Sequence, residues 1–96
     1  TMLNDVIEVR VLDHYRVFLR FDDGKAGEID LAPLLAPFEG VFAPLRDEAY
    51  FRQVHVNADI GTVAWPNGAD LCPDVLRHSL TGEPLPSAKN AVQPAK

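Results

Sequence analysis

The feature that most constrains this chain is a pair of period-two runs near its start. In Val6-Ile7-Glu8-Val9-Arg10-Val11, the residues Ile7, Val9 and Val11 fall on one face, and Glu8 and Arg10 on the other. In Tyr15-Arg16-Val17-Phe18-Leu19-Arg20-Phe21, the residues Tyr15, Val17, Leu19 and Phe21 share a face opposite Arg16 and Arg20. Successive side chains of a strand point to opposite sides, so both runs predict strands with one buried face. The short polar link Asp13-His14 pairs them as a hairpin. Asp22-Asp23-Gly24 is a second turn, because Gly and Asp tolerate the positive φ of a tight hairpin. Lys25–Leu31 follows as a third strand, with Gly27 marking a bulge or an edge. The three form an antiparallel meander. Phe18 stands on the charged face of the second strand, where an aromatic ring needs cover from a helix or a partner chain.

The middle of the chain changes character. Asp30 can cap a short helix over Leu31–Leu35, with Pro33 tolerated in its first turn. Pro37 and Gly40 interrupt it, and Phe42–Leu45 reads as a single further turn. Asp47–Val54 reads as a helix, with Asp47 near its start complementing the dipole. Phe38, Phe42, Leu45, Phe51 and Val54 are expected to pack on the sheet. Val54–Asn57, a turn over Ala58–Gly61, and Thr62–Trp65 then make a second hairpin.

The stretch Gly61–Asp74 holds the only Trp, the only Cys, two of the six Gly and two of the eight Pro. Pro66 ends a strand because it cannot donate to a ladder. Asn67-Gly68 turns the chain, and Pro73 opens a helix over Cys72–Leu80 that Gly82 stops. Trp65 reads as a core residue, with an interface anchor as the alternative. Asp70 is expected to bond the turn's backbone. The fold class is therefore α+β: a small antiparallel sheet, a three-stranded meander plus a hairpin, with short helices packed on one side. One domain over residues 1–82 and a flexible Pro-, Ala- and Ser-rich tail over 83–96 are expected.

A chain of 96 residues with 47% hydrophobic content has room for one modest core. No apolar run approaches the ~20 residues that span a bilayer, and no basic segment followed by an apolar run suggests a secretory signal. A lone Cys forms no internal disulfide, which suits a reducing cytoplasm. The net charge is −5, unevenly spread: residues 1–82 carry seven basic and thirteen acidic side chains, a net −6, and residues 83–96 carry +1. An acidic body repels phosphate backbones, so nucleic-acid binding by this domain is not expected, and a basic protein is the easier partner.

The candidate chemistry is thin. His14, His55 and His78 share no metal-ligand spacing, and there is neither HExxH nor CxxC. Asp74 and His78 stand at i,i+4 on the last helix, as a surface pair or an acid/base pair. Cys72 precedes that helix and reads either as a thiolate nucleophile or as a small buried hydrophobe. Asp22, Asp23, Glu28 and Asp30 lack the spacing of a calcium loop. No catalytic residue, metal or cofactor is assigned; Trp65, Asp70 and Phe18 are the candidate interaction residues.

Phe21-Asp22-Asp23-Gly24, Ile29-Asp30-Leu31 and Gly61-Thr62-Val63-Ala64-Trp65-Pro66-Asn67-Gly68-Ala69-Asp70-Leu71 with Pro73-Asp74 resemble the bacterial domain-of-unknown-function family numbered 2442, and the resemblance runs from Val6 to Leu80. It implies a small α+β domain with an antiparallel sheet, stand-alone in some relatives and fused to a helix-turn-helix domain in others, a part not expected here. Some relatives lie beside a second small protein, as toxin–antitoxin pairs do. The family carries no established catalytic or binding residues to transfer. The expected function is a non-enzymatic protein-interaction module, acting as a homodimer or as the acidic, antitoxin-like partner of a small protein. A small-ligand sensing domain is the alternative, and an enzyme using Cys72 the third.

Overall fold

Two antiparallel sheets that meet at the start of the first strand organise the structure. The computed structural model describes residues 5–82, so the expected tail over 83–96 lies outside the described residues. Strand β1 (Val6–Asp13) pairs with β2 (Arg16–Phe21), which pairs with β3 (Ala26–Asp30), in the order β1-β2-β3. Helix α1 (Ala32–Leu35), a 3-10 segment (Gly40–Arg46) and helix α2 (Glu48–Phe51) follow. Strands β4 (His55–Asn57) and β5 (Thr62–Ala64) form a second, two-stranded sheet, and helix α3 (Pro73–Thr81) closes the fold. The meander, the hairpin and the short helices together are the expected α+β class.

The register of β1 corrects one expectation. Val6 stands opposite Phe21 and Glu8 opposite Arg20, so two steps along β1 match one along β2. That is a β-bulge at Ile7, and a bulge shifts every later side chain by one position relative to the partner strand. Val6, rather than Ile7, therefore joins the face of Val17, Leu19 and Phe21. Val6 is 1% exposed and Ile7 53%. Plain alternation places Ile7 inward, but it turns out to solvent.

The core lies between the inner sheet face and the segments that cross it. Val17, Leu19, Phe21 and Ile29 meet Leu31, Leu35, Leu45, Phe51, Trp65, Leu71 and Leu76 in one buried cluster. Phe38, Phe42 and Val54 pack against its margin. Burying side chains of this size contributes ~1.5–3 kcal/mol each, which makes this cluster the main source of stability. Tyr15 adds a polar tie, its hydroxyl donating to the Leu45 carbonyl at 2.8 Å.

Local signals account for the element ends. Asp30 Oδ1 accepts from the Ala32 amide at 3.0 Å and so starts α1. Asp47 Oδ1 accepts from the Ala49 amide at 3.0 Å at the start of α2. Helix α2 is shorter than the expected 47–54, because after Phe51 the chain tightens into a turn, Val54 N to Phe51 O, and enters β4. Gly82, at φ +82°, ends α3 as expected. Gly27 marks no bulge, since the β2–β3 pairing runs unbroken, but it does lie on the sheet's edge strand. A Cβ there would stand 2.8 Å from Leu80 Cδ1, so the glycine lets α3 settle against β3.

Candidate functional site

The three candidate interaction residues lie in three different places. Trp65 is 1% exposed; its Nε1 donates to the Phe51 carbonyl at 2.9 Å and its ring lies 5.8 Å from that of Phe51. Position 65 is thus part of the core, and its indole is not on the surface of this chain. Phe18 lies half-buried on the outer face of the meander, with the guanidinium groups of Arg10 and Arg20 at 4.4 and 5.5 Å from its ring. Its cover is two arginines of its own sheet, through cation–π contact, rather than a helix.

Asp70 is exposed, and its backbone forms a bridge with Ala64. The side chain that bonds the turn is Asn67: its Oδ1 accepts from the Ala69 amide at 3.1 Å, and its Nδ2 donates to the Val41 carbonyl at 2.9 Å. The expectation for Asp70 therefore moves three residues upstream, because an Asx side chain reaches the amide two residues ahead of it.

The enzyme-like candidates do not converge. Cys72 is exposed at the start of α3 rather than a small buried hydrophobe. His14 faces Glu48 at 3.4 Å, His55 contacts the Gln53 carbonyl at 3.2 Å, and His78 is on α3, so each histidine belongs to a different part of the fold. Among the described residues, no group of three or more His, Cys, Asp or Glu is placed to hold a metal ion. Among them, too, no helix is long and apolar enough to cross a membrane.

Charge is distributed unequally. The outer sheet face is internally neutralised: Glu8 accepts from Arg20 at 2.9 Å and from Arg10 at 3.2 Å, and Arg16 reaches Asp13 at 2.8 Å and Glu28 at 3.4 Å. Hydrogen bonds first from Arg20 and then from Arg10 hold the Glu8 carboxyl below its usual range, and Arg16 does the same for Asp13. Arg52 stands 3.9 Å from Glu48. The most buried pair joins α3 to the β2–β3 turn. Arg77, 6% exposed, donates to both Asp23 oxygens at 3.0 and 2.5 Å and lies 5.1 Å from the Phe21 ring. That bidentate contact, helped by the Lys25 amide, lowers the Asp23 carboxyl to about 2. No motif points to Arg77, although its position beside Leu76 on the inner side of α3 signals a cation in need of a buried partner.

The carboxylates left without a basic partner among the described residues include Asp5, Asp22 and Asp59. They gather where the two sheets meet. The Val6 amide donates to the Gly61 carbonyl, and the Asp22 amide to the Asp5 carbonyl, each at 2.9 Å. Asp5 thus sits between the β2–β3 turn and the β4–β5 turn. Gly61, at φ +70°, is required there, since a Cβ would stand 2.7 Å from the Asp5 carboxyl carbon. Beside this seam lies an open groove of about 230 Å³, lined by Asp5, Val6, Ile7, Val56, Ala58 and Gly61. Ile7 and Ile60, next to it in the chain, are 53% and 46% exposed. Together they place two exposed apolar side chains at one groove, where apolar surface rimmed by polar groups can serve as a contact surface if it is contiguous.

The chain matches the model of a family described as "Protein of unknown function (DUF2442)" over residues 6–82, and it belongs to that family. No curated protein and no solved structure matches it.

Proposed function

We propose that this DUF2442 member is a non-enzymatic protein-interaction module of the bacterial cytoplasm, the acidic partner of a small basic protein in the manner of an antitoxin. The observation that carries the reading is the charge pairing. Five of the six described arginines are matched by carboxylates of the chain itself. Asp5, Asp22 and Asp59 are among the carboxylates without a basic partner among the described residues, beside exposed Ile7 and Ile60; Glu39 and Asp70 lie elsewhere on the surface. Complementary charge speeds and orients association with a basic protein, and the apolar residues add the contact that holds it. The same charge disfavours a phosphate backbone. The exposed, single Cys72 thiol suits a reducing compartment. Small-ligand sensing has less support, because the groove of about 230 Å³ is smaller than the ~300–1,000 Å³ of most small-molecule sites.

Affinity capture from the native host at about 50 and about 500 mM salt tests the reading, since exposed charge contacts weaken as the screening length shortens. A basic protein retained at low salt and released at high salt is the expected result. A monomer in sedimentation with no salt-sensitive partner would overturn it.

A further inference from the structure

Resting on the reading above, we infer that the seam groove is the docking site for an extended basic segment that inserts an apolar side chain between Ile7 and Val56. Three independent features converge there. The first is the bulge, which turns Ile7 out of the core pattern and exposes it on an edge strand; bulges commonly re-aim a side chain beside a functional site. The second is the groove wall, where half-buried Val56 and exposed Ala58 offer apolar surface above buried Val6, and Gly61 keeps the wall low because no Cβ fits against Asp5. The third is charge complementarity. Asp5 lines the groove, Asp22 is bonded through its amide to the Asp5 carbonyl, and Asp59 follows the lining residue Ala58 in the chain, while the arginines of the outer sheet face are held by Glu8, Asp13 and Glu28. In the adjacent turn the Lys25 backbone amide donates to Asp23 Oδ1 at 3.1 Å, and Arg77 holds the same carboxylate. A segment with lysine or arginine on either side of a leucine-like residue satisfies the carboxylates and fills the groove together.

A second copy of this chain is a poorer occupant. It would bring a net −6 body against the same carboxylates, and like charges across an interface are costly. The bulge at Ile7 and the irregular pairing between Val11 and Asp13 also interrupt both ends of β1, which hinders edge-to-edge pairing of two sheets.

The test uses the full-length protein and a short fluorescein-labelled peptide of alternating lysine and leucine, with a glutamate–leucine peptide as reference. Amide chemical shifts are followed during titration at low salt. The lysine–leucine peptide is expected to shift Asp5 to Ile7 and Val56 to Gly61, and the glutamate–leucine peptide to shift neither. Asp59→Lys should weaken binding about tenfold and Ile7→Ser about fivefold, while Glu39→Lys, away from the groove, leaves it unchanged. Amide spectra of the free variants check that each remains folded, and Asp59→Lys alters only an exposed turn. Shifts centred on Glu39 or Asp70 would overturn the site while leaving the basic-partner reading standing. Absence of binding, or a dimer closed through Ile7, would overturn the inference outright.

Discussion

Asn67 ties two segments that are far apart in sequence, accepting from the Ala69 amide and donating to the Val41 carbonyl. Asn67→Ala removes both bonds and should lower stability by about 1–2 kcal/mol, as the loss of two partly exposed hydrogen bonds does. Asp70→Ala removes an exposed carboxylate and should change stability by no more than ~0.5 kcal/mol. Urea unfolding of the two variants beside the parent chain checks the contrast; a larger loss for Asp70→Ala would reverse the assignment. The difference also shows what single positions can disclose. Trp65 was legible as core because a large ring between β-branched residues and a proline has few other places to go. Phe18 was legible as an anomaly, but the remedy was not: Arg10 and Arg20 reach its ring only once the pairing Arg10–Phe18 across β1 and β2 is known.

The elements were the most readable level, and the failures there have definite causes. Period two, the Asp-Gly and Asn-Gly turns, and Pro73 with Gly82 are local signals, and they placed the meander, the second hairpin and α3. The bulge at Ile7 is not local. It arises because β1 must serve β2 and also deliver the Val6 amide to Gly61, and nothing in the alternation records that second demand. The Arg77–Asp23 pair is likewise a property of two elements meeting, a helix against a hairpin turn. Asp23 has its carboxyl lowered from the usual 3.8 to about 2 by the Arg77 contact. A folded-state value below the unfolded one means that the pair stabilises the fold above about pH 4, and that this is lost as pH falls toward 2. Asp23→Asn should therefore melt roughly 5 °C lower than the parent at neutral pH. The gap should close as the pH is lowered from 4 to 2 in thermal melts at a series of pH values. A constant gap across that range would mean that the charge on Asp23 is not what holds the turn to α3.

At the scale of the whole molecule, composition anticipated the acidic excess but not its position. Residues 1–82 have a net −6, yet the broad outer sheet face is a lattice of ion pairs, and three of the unmatched carboxylates, Asp5, Asp22 and Asp59, stand at or next to the seam. They are separated by up to 54 positions in sequence, so only the folding of two turns onto the start of β1 brings them together. Ile60 lies at that seam and Val41, 59% exposed, is an apolar surface residue outside it. The proposal that the seam receives a basic protein is tested most directly by photo-crosslinking in cells of the native host. A benzophenone side chain replaces Ile60 in one version of the protein and Val41 in another. Position 60 should yield an adduct with a basic protein that disappears in the Asp59→Lys background, and position 41 should yield none. No adduct at position 60, or equal adducts from both positions, would contradict the proposal.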